Sequence, residues 1–510
     1  MTTKTGIIGG GVSGLRCADV LLQQGFQVTI LEARDRLGGR MHQDTLPNGH
    51  IVDMGPNWIH GTDNNPILDL AKMTKTATHS WADEADALYD DQGKRVSNAS
   101  ELSGTFWGII MEAFKFSEHH GATIDPSRSL WDFFLEKASL MSKNDEEKRK
   151  ANMLLQIAEM WGAFIGTPIS RQSLKFFWLE ECIDGENLFC AGTYQNILAV
   201  ITKHAKEQAI IHLNTKVNRI ETENGQPILH TTNGGSFEFD EVVVTAPLGW
   251  LKKNKSVFNP ELPSRLTEAI DAIGYGNLEK VYVTFPRAFW QGPSDEPNKE
   301  PPAGFIQWLH PAYSKPPASK DWNQEAVDLA TLPGASAHPT LLFYIFGDQG
   351  SLIAKKWNDL HTESQRTTWL ADYFQPYISK LPHYDAASKD CIPSYCLATS
   401  WTTDDLAGNG SYSNFPVGLK EGDKDIEIMR EGLPDRNLWF AGEHTAPFVA
   451  LGTVTGAYWS GEMVAQRIAR KYGKECEVLD SQNVGGSSTG HDGGKDVNVR
   501  GFADDGLKTA

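Results

Sequence analysis

A short apolar strand runs straight into a glycine turn at the start of the chain, Thr5-Gly6-Ile7-Ile8-Gly9-Gly10-Gly11-Val12-Ser13-Gly14, and a second strand, Gln27 to Leu31, stops at Glu32. Strand, tight turn, helix, strand and acid in this register form a dinucleotide clamp. Gly9 permits the turn, Gly11 lets backbone approach a pyrophosphate, and Gly14 lets a helix predicted from Ser13 to Gln24 pack close on the strand. The helix N-terminus at Val12 and Ser13 supplies free N–H groups and a positive dipole for phosphates. Glu32 can accept both hydroxyls of an adenosine ribose, and an acid there disfavours a 2′-phosphate.

Glu32 and Ala33 lead into Arg34-Asp35-Arg36-Leu37-Gly38-Gly39-Arg40, a second glycine pair between arginines. Mobile backbone and fixed positive charge can meet a second phosphate or a flavin edge. Standing alone, the same segment reads as a solvated basic turn.

At 510 residues the chain exceeds one ordinary core, so two domains are expected. No apolar run reaches the roughly eighteen residues of a membrane span, and the first strand begins too early for a leader sequence, which predicts a cytoplasmic protein without a membrane partner. The six cysteines form no CxxC pair and no metal-ligand spacing, which predicts free thiols and no metal. A formal charge of −18 discourages nucleic acid and favours cationic small molecules or basic peptides.

Val52 to Gly61 reads as a strand breaking into a loop, and Trp81 to Glu181 as largely helical, with a solvated charge run from Lys143 to Lys150. Short strands are expected from Ala209 to Asp240 around turns at Asn224-Gly225 and Asn233-Gly234-Gly235, then buried strands at Glu241 to Ala246, Leu278 to Phe285, Thr340 to Phe346 and Leu438 to Glu443. Gly292 to Pro317 reads as proline-rich loop, and Thr455 to Lys471 as helix. Beyond Asp480 the Gly, Ser, Asp and Asn composition predicts disorder.

Four motifs in order resemble the flavin-dependent amine oxidases, the group of polyamine oxidases, monoamine oxidases and lysine-specific histone demethylases. They are Gly9 to Gly14 with Glu32; Arg36 to Arg40; Leu438-Trp439-Phe440-Ala441-Gly442-Glu443-His444-Thr445; and Gly452-Thr453-Val454-Thr455-Gly456-Ala457-Tyr458-Trp459-Ser460-Gly461. The resemblance spans Lys4 to Lys471 and implies an α/β fold: a discontinuous Rossmann-like FAD-binding domain of the glutathione-reductase type (1–78, 190–285 and 392–475), plus a mixed sheet-and-helix substrate-binding domain (79–189 and 286–391). A disordered tail is expected over 480–510.

By the same resemblance Glu443 holds the ribityl or pyrophosphate region of FAD, and the helix after Val454 points its N-terminus at the flavin pyrimidine. There its dipole would stabilise negative charge on the reduced ring. Val217 offers backbone to the adenine, a role compatible with strand core. Lys280 matches the lysine that bonds a water against flavin N5, although a lysine alternating with apolar residues on a strand is otherwise usually a surface residue. Gly55-Pro56-Asn57-Trp58 lies along the cofactor, with His60 near the substrate amine. Trp401 and Tyr412 match the aromatic walls, and Thr453 stands where monoamine and plant polyamine oxidases carry tyrosine, which implies a half-open cage. Ser411 replaces the cysteine through which monoamine oxidases attach their flavin, so FAD is expected to bind noncovalently.

Among Glu180, Glu181, Asp184 and Glu186, the first two are candidate partners for the distal ammonium groups of a substrate; the cluster reads equally as a solvated loop. The expected activity is oxidation of a carbon beside a secondary or tertiary amine of a small-molecule polyamine, giving an imine that hydrolyses, with molecular oxygen reduced to hydrogen peroxide. The alternatives are a histone-lysine demethylase and a flavin-bearing binding protein without turnover; Lys280 and Tyr412 argue against the latter.

Overall fold

The computed structural model describes residues 2–81, 86–223, 225–292, 300–314 and 322–475. The near-continuous apolar runs expected of strands covered on both faces place Lys4–Ile8 at the centre of a five-stranded parallel sheet, in the order Leu438–Phe440, Glu241–Val244, Lys4–Ile8, Gln27–Leu31 and Ile210–His212. Its strands come from both ends and the middle of the chain. The helices Val12–Gln23 and Val454–Lys471 pack against each other across it. Gly461 permits their approach, because a Cβ there would lie 2.1 Å from the Ser13 carbonyl oxygen. A four-stranded sheet with a hairpin over Asn233-Gly234 lies alongside, and it carries Val217 on the strand Val217–Glu221.

The second large sheet has six strands, ordered Tyr395–Ala398, Leu278–Thr284, Thr340–Phe346, Gln324–Asp328, Phe305–Trp308 and Ala87–Tyr89. Alternation along Leu278–Thr284 sends Val281 and Val283 into a core with Phe374 and Tyr377 of the helix Glu363–Ile378. Leu278 and Tyr282 face the other way, into a core shared with Phe106 and Phe114 of the helix Ala99–His120. Lys280 lies in register with this second pair.

Two expectations are corrected. The loop expected over 292–317 contains the strand Phe305–Trp308, fully buried and paired on both sides, because the prolines flank the apolar run rather than interrupt it. The boundaries expected at 285 and 392 fall within the six-stranded sheet, since Leu278–Thr284 pairs with Tyr395–Ala398 on one side and with Thr340–Phe346 on the other. A strand's sequence shows its periodicity and not its partner. Asn224, Cys476 and the tail 480–510 lie outside the described residues; the other five cysteines are free. No helix among the described residues is long and apolar enough to cross a membrane.

Candidate active site

A cavity of about 340 Å³ runs from the first glycine turn to a cluster of aromatic side chains. At the turn, Glu32 is 6 % exposed and its carboxylate accepts the backbone N–H groups of Gly10 at 2.6 Å and Arg34 at 2.7 Å. The acid therefore ties the two glycine segments together, and the Gly38 N–H donates to the Gly10 carbonyl at 2.8 Å. Gly11 precedes the helix Val12–Gln23 without offering a side-chain cap, so the first-turn N–H groups at Val12 and Ser13 remain for a ligand. A Cβ on Gly11 would meet nothing within 4 Å. A Cβ on Gly14 would lie 2.2 Å from the Gly9 carbonyl oxygen: Gly14 lies behind the turn, outside the cavity lining, and serves packing alone. Ala33, Arg34, Gly39 and Val217 complete this end. The donor set and the open space over Gly11 fit a dinucleotide.

In the middle, Arg40 donates to the Ser411 carbonyl at 2.6 Å and to the Glu443 carboxylate at 3.0 Å. The other Glu443 oxygen accepts the Ser413 hydroxyl at 2.5 Å. Burial opposes a charge on Glu443, but Arg40 and Ser413 outweigh it and hold the carboxyl below the usual range. Thr453 caps the helix Val454–Lys471, accepting from the Gly456 N–H at 3.0 Å and donating to the Ala450 carbonyl at 2.7 Å. The N-terminal turn of that helix, with Val454, faces the cavity.

Lys280 is 6 % exposed and lines the cavity. Its ammonium donates to the main-chain carbonyls of Asp53 and Gly55. Burial lowers the Lys280 pKa, opposed by the Asp53 carboxylate, and burial likewise raises that of Asp53. The loop after Asp53 is held by side chains: Tyr344 donates to Asn57 at 3.1 Å, Trp58 donates to Tyr344 at 3.0 Å, and the Trp401 indole donates to the Met54 carbonyl at 3.1 Å. Gly55, Pro56, Asn57, Trp58 and Trp401 all line the cavity.

At the aromatic end, Tyr412 donates to the Phe164 carbonyl, and burial raises its pKa. His60 lines the same space, and burial lowers its pKa to about 4, so the ring is neutral at pH 7. Glu180 also lines it; burial pushes its carboxyl up to about 8, and its Oε1 is sealed from solvent without a hydrogen-bond partner. Glu181 is outside the lining. It lies beside Glu118 and Asp184, and burial with those two acids raises its pKa to about 7.

Sequence reasoning missed Trp161, Phe164, Leu278, Tyr344, Cys182 and Asn187, all in the lining. Trp161 and Phe164 recur at helical spacing, the pattern of ordinary core. The only signal was for Cys182, two residues past Glu180.

A sequence model of flavin-containing amine oxidoreductases matches residues 12–469. The chain belongs to that family. This oxidoreductase is 28 % identical over 474 residues to probable polyamine oxidase 4 of Arabidopsis thaliana, covering 91 % of this chain and 86 % of that one. It is also 28 % identical over 508 residues to the corticosteroid-binding protein of Candida albicans, covering 92 % and 96 %. A solved structure of a putrescine oxidase redesigned in its cofactor binding superposes with a TM-score of 0.67 at 16 % identity, covering 92 % and 99 %, which establishes the shared fold. The oxidoreductase is an FAD-dependent amine oxidase, and the clamp at Gly11, Glu32, Arg40 and the helix beginning at Val454 fits FAD.

Proposed function

We propose that the oxidoreductase is a polyamine oxidase that breaks the C–H bond beside a secondary or tertiary amine. The observation that carries this reading is the aromatic cavity itself: Trp401 and Tyr412 line it together with neutral His60 and with Glu180, whose carboxyl burial holds protonated while no cation is near. The ionised form of such a buried carboxyl is favoured by a cation brought from outside, and a distal ammonium of a polyamine is such a cation. Trp401 and Tyr412 wall the nitrogen to be oxidised, their ring faces suiting a positively polarised amine. The Thr453 hydroxyl is engaged in capping the helix and presents no third ring. The neutral His60 ring can donate its N–H to the lone pair of the free amine, which favours the unprotonated nitrogen, the form that can release hydride.

The chemistry that FAD supplies when bound is acceptance of that hydride and delivery of the electron pair to oxygen, giving hydrogen peroxide. The imine left on the substrate hydrolyses to aldehyde and amine. Lys280 holds positive charge, or a proton to donate, where oxygen is reduced. The Ser411 hydroxyl accepts the Leu278 N–H at 3.2 Å and cannot form a thioether, so FAD is held noncovalently. Free thiols among the described cysteines support a cytoplasmic setting in polyamine catabolism, and the charge of −18 argues against a nucleic-acid partner.

The test is a peroxide assay on purified holoprotein with spermine, spermidine, their N-acetylated forms, a monoamine and a methylated lysine peptide. Polyamine turnover exceeding that of the monoamine and the peptide is expected. Turnover of the peptide alone would replace the reading with a demethylase, and turnover of none with FAD bound would replace it with a binding protein.

A further inference from the structure

Glu279 precedes Lys280, and alternation along the strand sends the two side chains to opposite faces of the sheet. Glu279 is fully buried, an arrangement that costs several kcal/mol unless the carboxylate is satisfied. Four donors satisfy it: the hydroxyls of Thr399 at 2.5 Å and Thr402 at 3.0 Å, and the backbone N–H groups of Trp401 at 3.0 Å and Thr402 at 2.8 Å. Those two N–H groups open the single-turn helix Trp401–Thr403, which receives no side-chain cap from Ser400. A carboxylate more than a hundred residues away in sequence therefore does the work of a cap. At its other end the Trp401 ring is pinned by the indole N–H to Met54.

We propose that Glu279 is the positioning residue for Trp401, fixing the backbone from which that ring projects into the cavity. The Thr399 hydroxyl that donates to Glu279 also accepts the Lys280 backbone N–H at 2.8 Å, so one hydroxyl couples the turn to the strand carrying the lysine. Glu279 touches neither the substrate space nor the cofactor space: it does not line the cavity. Its influence on amine oxidation is exerted through Trp401, and this consequence rests on the reading that the substrate nitrogen lies against that ring.

The experiment compares Glu279→Gln, Trp401→Leu and the double variant as holoproteins. The amide keeps the size of the side chain but turns one acceptor into a donor facing N–H and O–H groups. Glu279→Gln is expected to lower kcat/KM for spermine tenfold or more and to shift the visible circular dichroism of bound FAD, while reoxidation of the reduced enzyme by oxygen stays within twofold of wild type. The double variant should lose no more than Trp401→Leu alone, because both changes remove the same placement. Losses that multiply, or an unaltered dichroism spectrum, would overturn the proposal, as would slowed reoxidation, which would mark a general disturbance of the strand. Should Glu279→Gln fail to fold, Thr402→Val removes one donor to the same carboxylate and is judged by the same non-additivity with Trp401→Leu. Wild-type protein that oxidises no amine would count against the polyamine reading, and the dichroism comparison would still decide the role of Glu279.

Discussion

The ammonium of Lys280 donates to the Asp53 carbonyl at 3.3 Å, joining a strand of the six-stranded sheet to the end of the strand Ile51–Asp53, and to the Gly55 carbonyl in the loop that follows. A cation is thereby buried at the cavity wall, with main-chain oxygens and a carboxylate as company. Replacing it with methionine keeps the length and removes the charge. Lys280→Met is expected to slow reoxidation of the reduced enzyme by about a hundredfold, in the range typical of a lost proton donor, with FAD content and melting temperature nearly unchanged. Stopped-flow mixing with oxygen measures this, and a wild-type rate would remove the role.

Gly11 and Gly14 separate binding from packing. A methyl on Gly11 enters open space, whereas one on Gly14 meets the Gly9 carbonyl at 2.2 Å. Gly11→Ala should leave the thermal stability of the apoprotein intact while weakening FAD at least tenfold by obstructing the pyrophosphate. Gly14→Ala should destabilise apoprotein and holoprotein alike. Calorimetry of both forms together with FAD titration reads the contrast, and equal behaviour of the two variants would contradict it.

Glu443, 4 % exposed, is paired at 3.0 Å with Arg40, which is 24 % exposed. Removing one partner of a fully buried pair costs about 3–5 kcal/mol, and the partial exposure of Arg40 puts this pair below that range, so Glu443→Ala should lower the urea midpoint and reduce the flavin retained on gel filtration. An unchanged midpoint would show that the Ser411 carbonyl alone satisfies Arg40.

His444 is 1 % exposed, neither ring nitrogen has a partner, and burial lowers its pKa from 6.5 to about 4. Between those two values the unfolded chain binds a proton that the native ring refuses, so stability is greatest above pH 6.5 and falls as the pH drops toward 4. The shift corresponds to about 3 kcal/mol. Urea denaturation at pH 7 and pH 4.5 should show a smaller difference for His444→Gln than for wild type; equal slopes would place the acid sensitivity elsewhere.

Glu180→Gln removes the carboxyl group proposed to ionise against a distal ammonium. Loss of a charge-assisted hydrogen bond of about 1.5–3 kcal/mol should raise KM for spermine roughly tenfold to a hundredfold, with monoamine oxidation and reoxidation unaffected. Steady-state kinetics on both substrates decides it, and a KM that does not move would leave the recognition of the distal nitrogen to other groups.

The cofactor end was legible because its requirements are local. Gly9, Gly11 and Gly14 each answer a backbone demand made within one turn, and Glu32 closes the same unit. The aromatic end was not. Trp161 and Phe164 carry the pattern of any buried helix, and their place in the cavity wall depends on where the six-stranded sheet sets Tyr344 and Lys280. Glu180 and Glu181 look interchangeable on paper. A change of one position turns a side chain from the cavity to the acidic pair Glu118 and Asp184.

The sequence by itself determined the dinucleotide clamp, the family and the order in which the nucleotide-binding strands occur, since each is written in short segments whose conformation depends on their own residues. Only the tertiary structure decided that Lys280 is buried rather than exposed, that Glu180 and not Glu181 enters the cavity, and that Glu279 caps the turn bearing Trp401. Those outcomes arise from tertiary contacts, many of them between residues far apart in the chain, where burial and hydrogen-bond partners, and not periodicity, set what a charged side chain does.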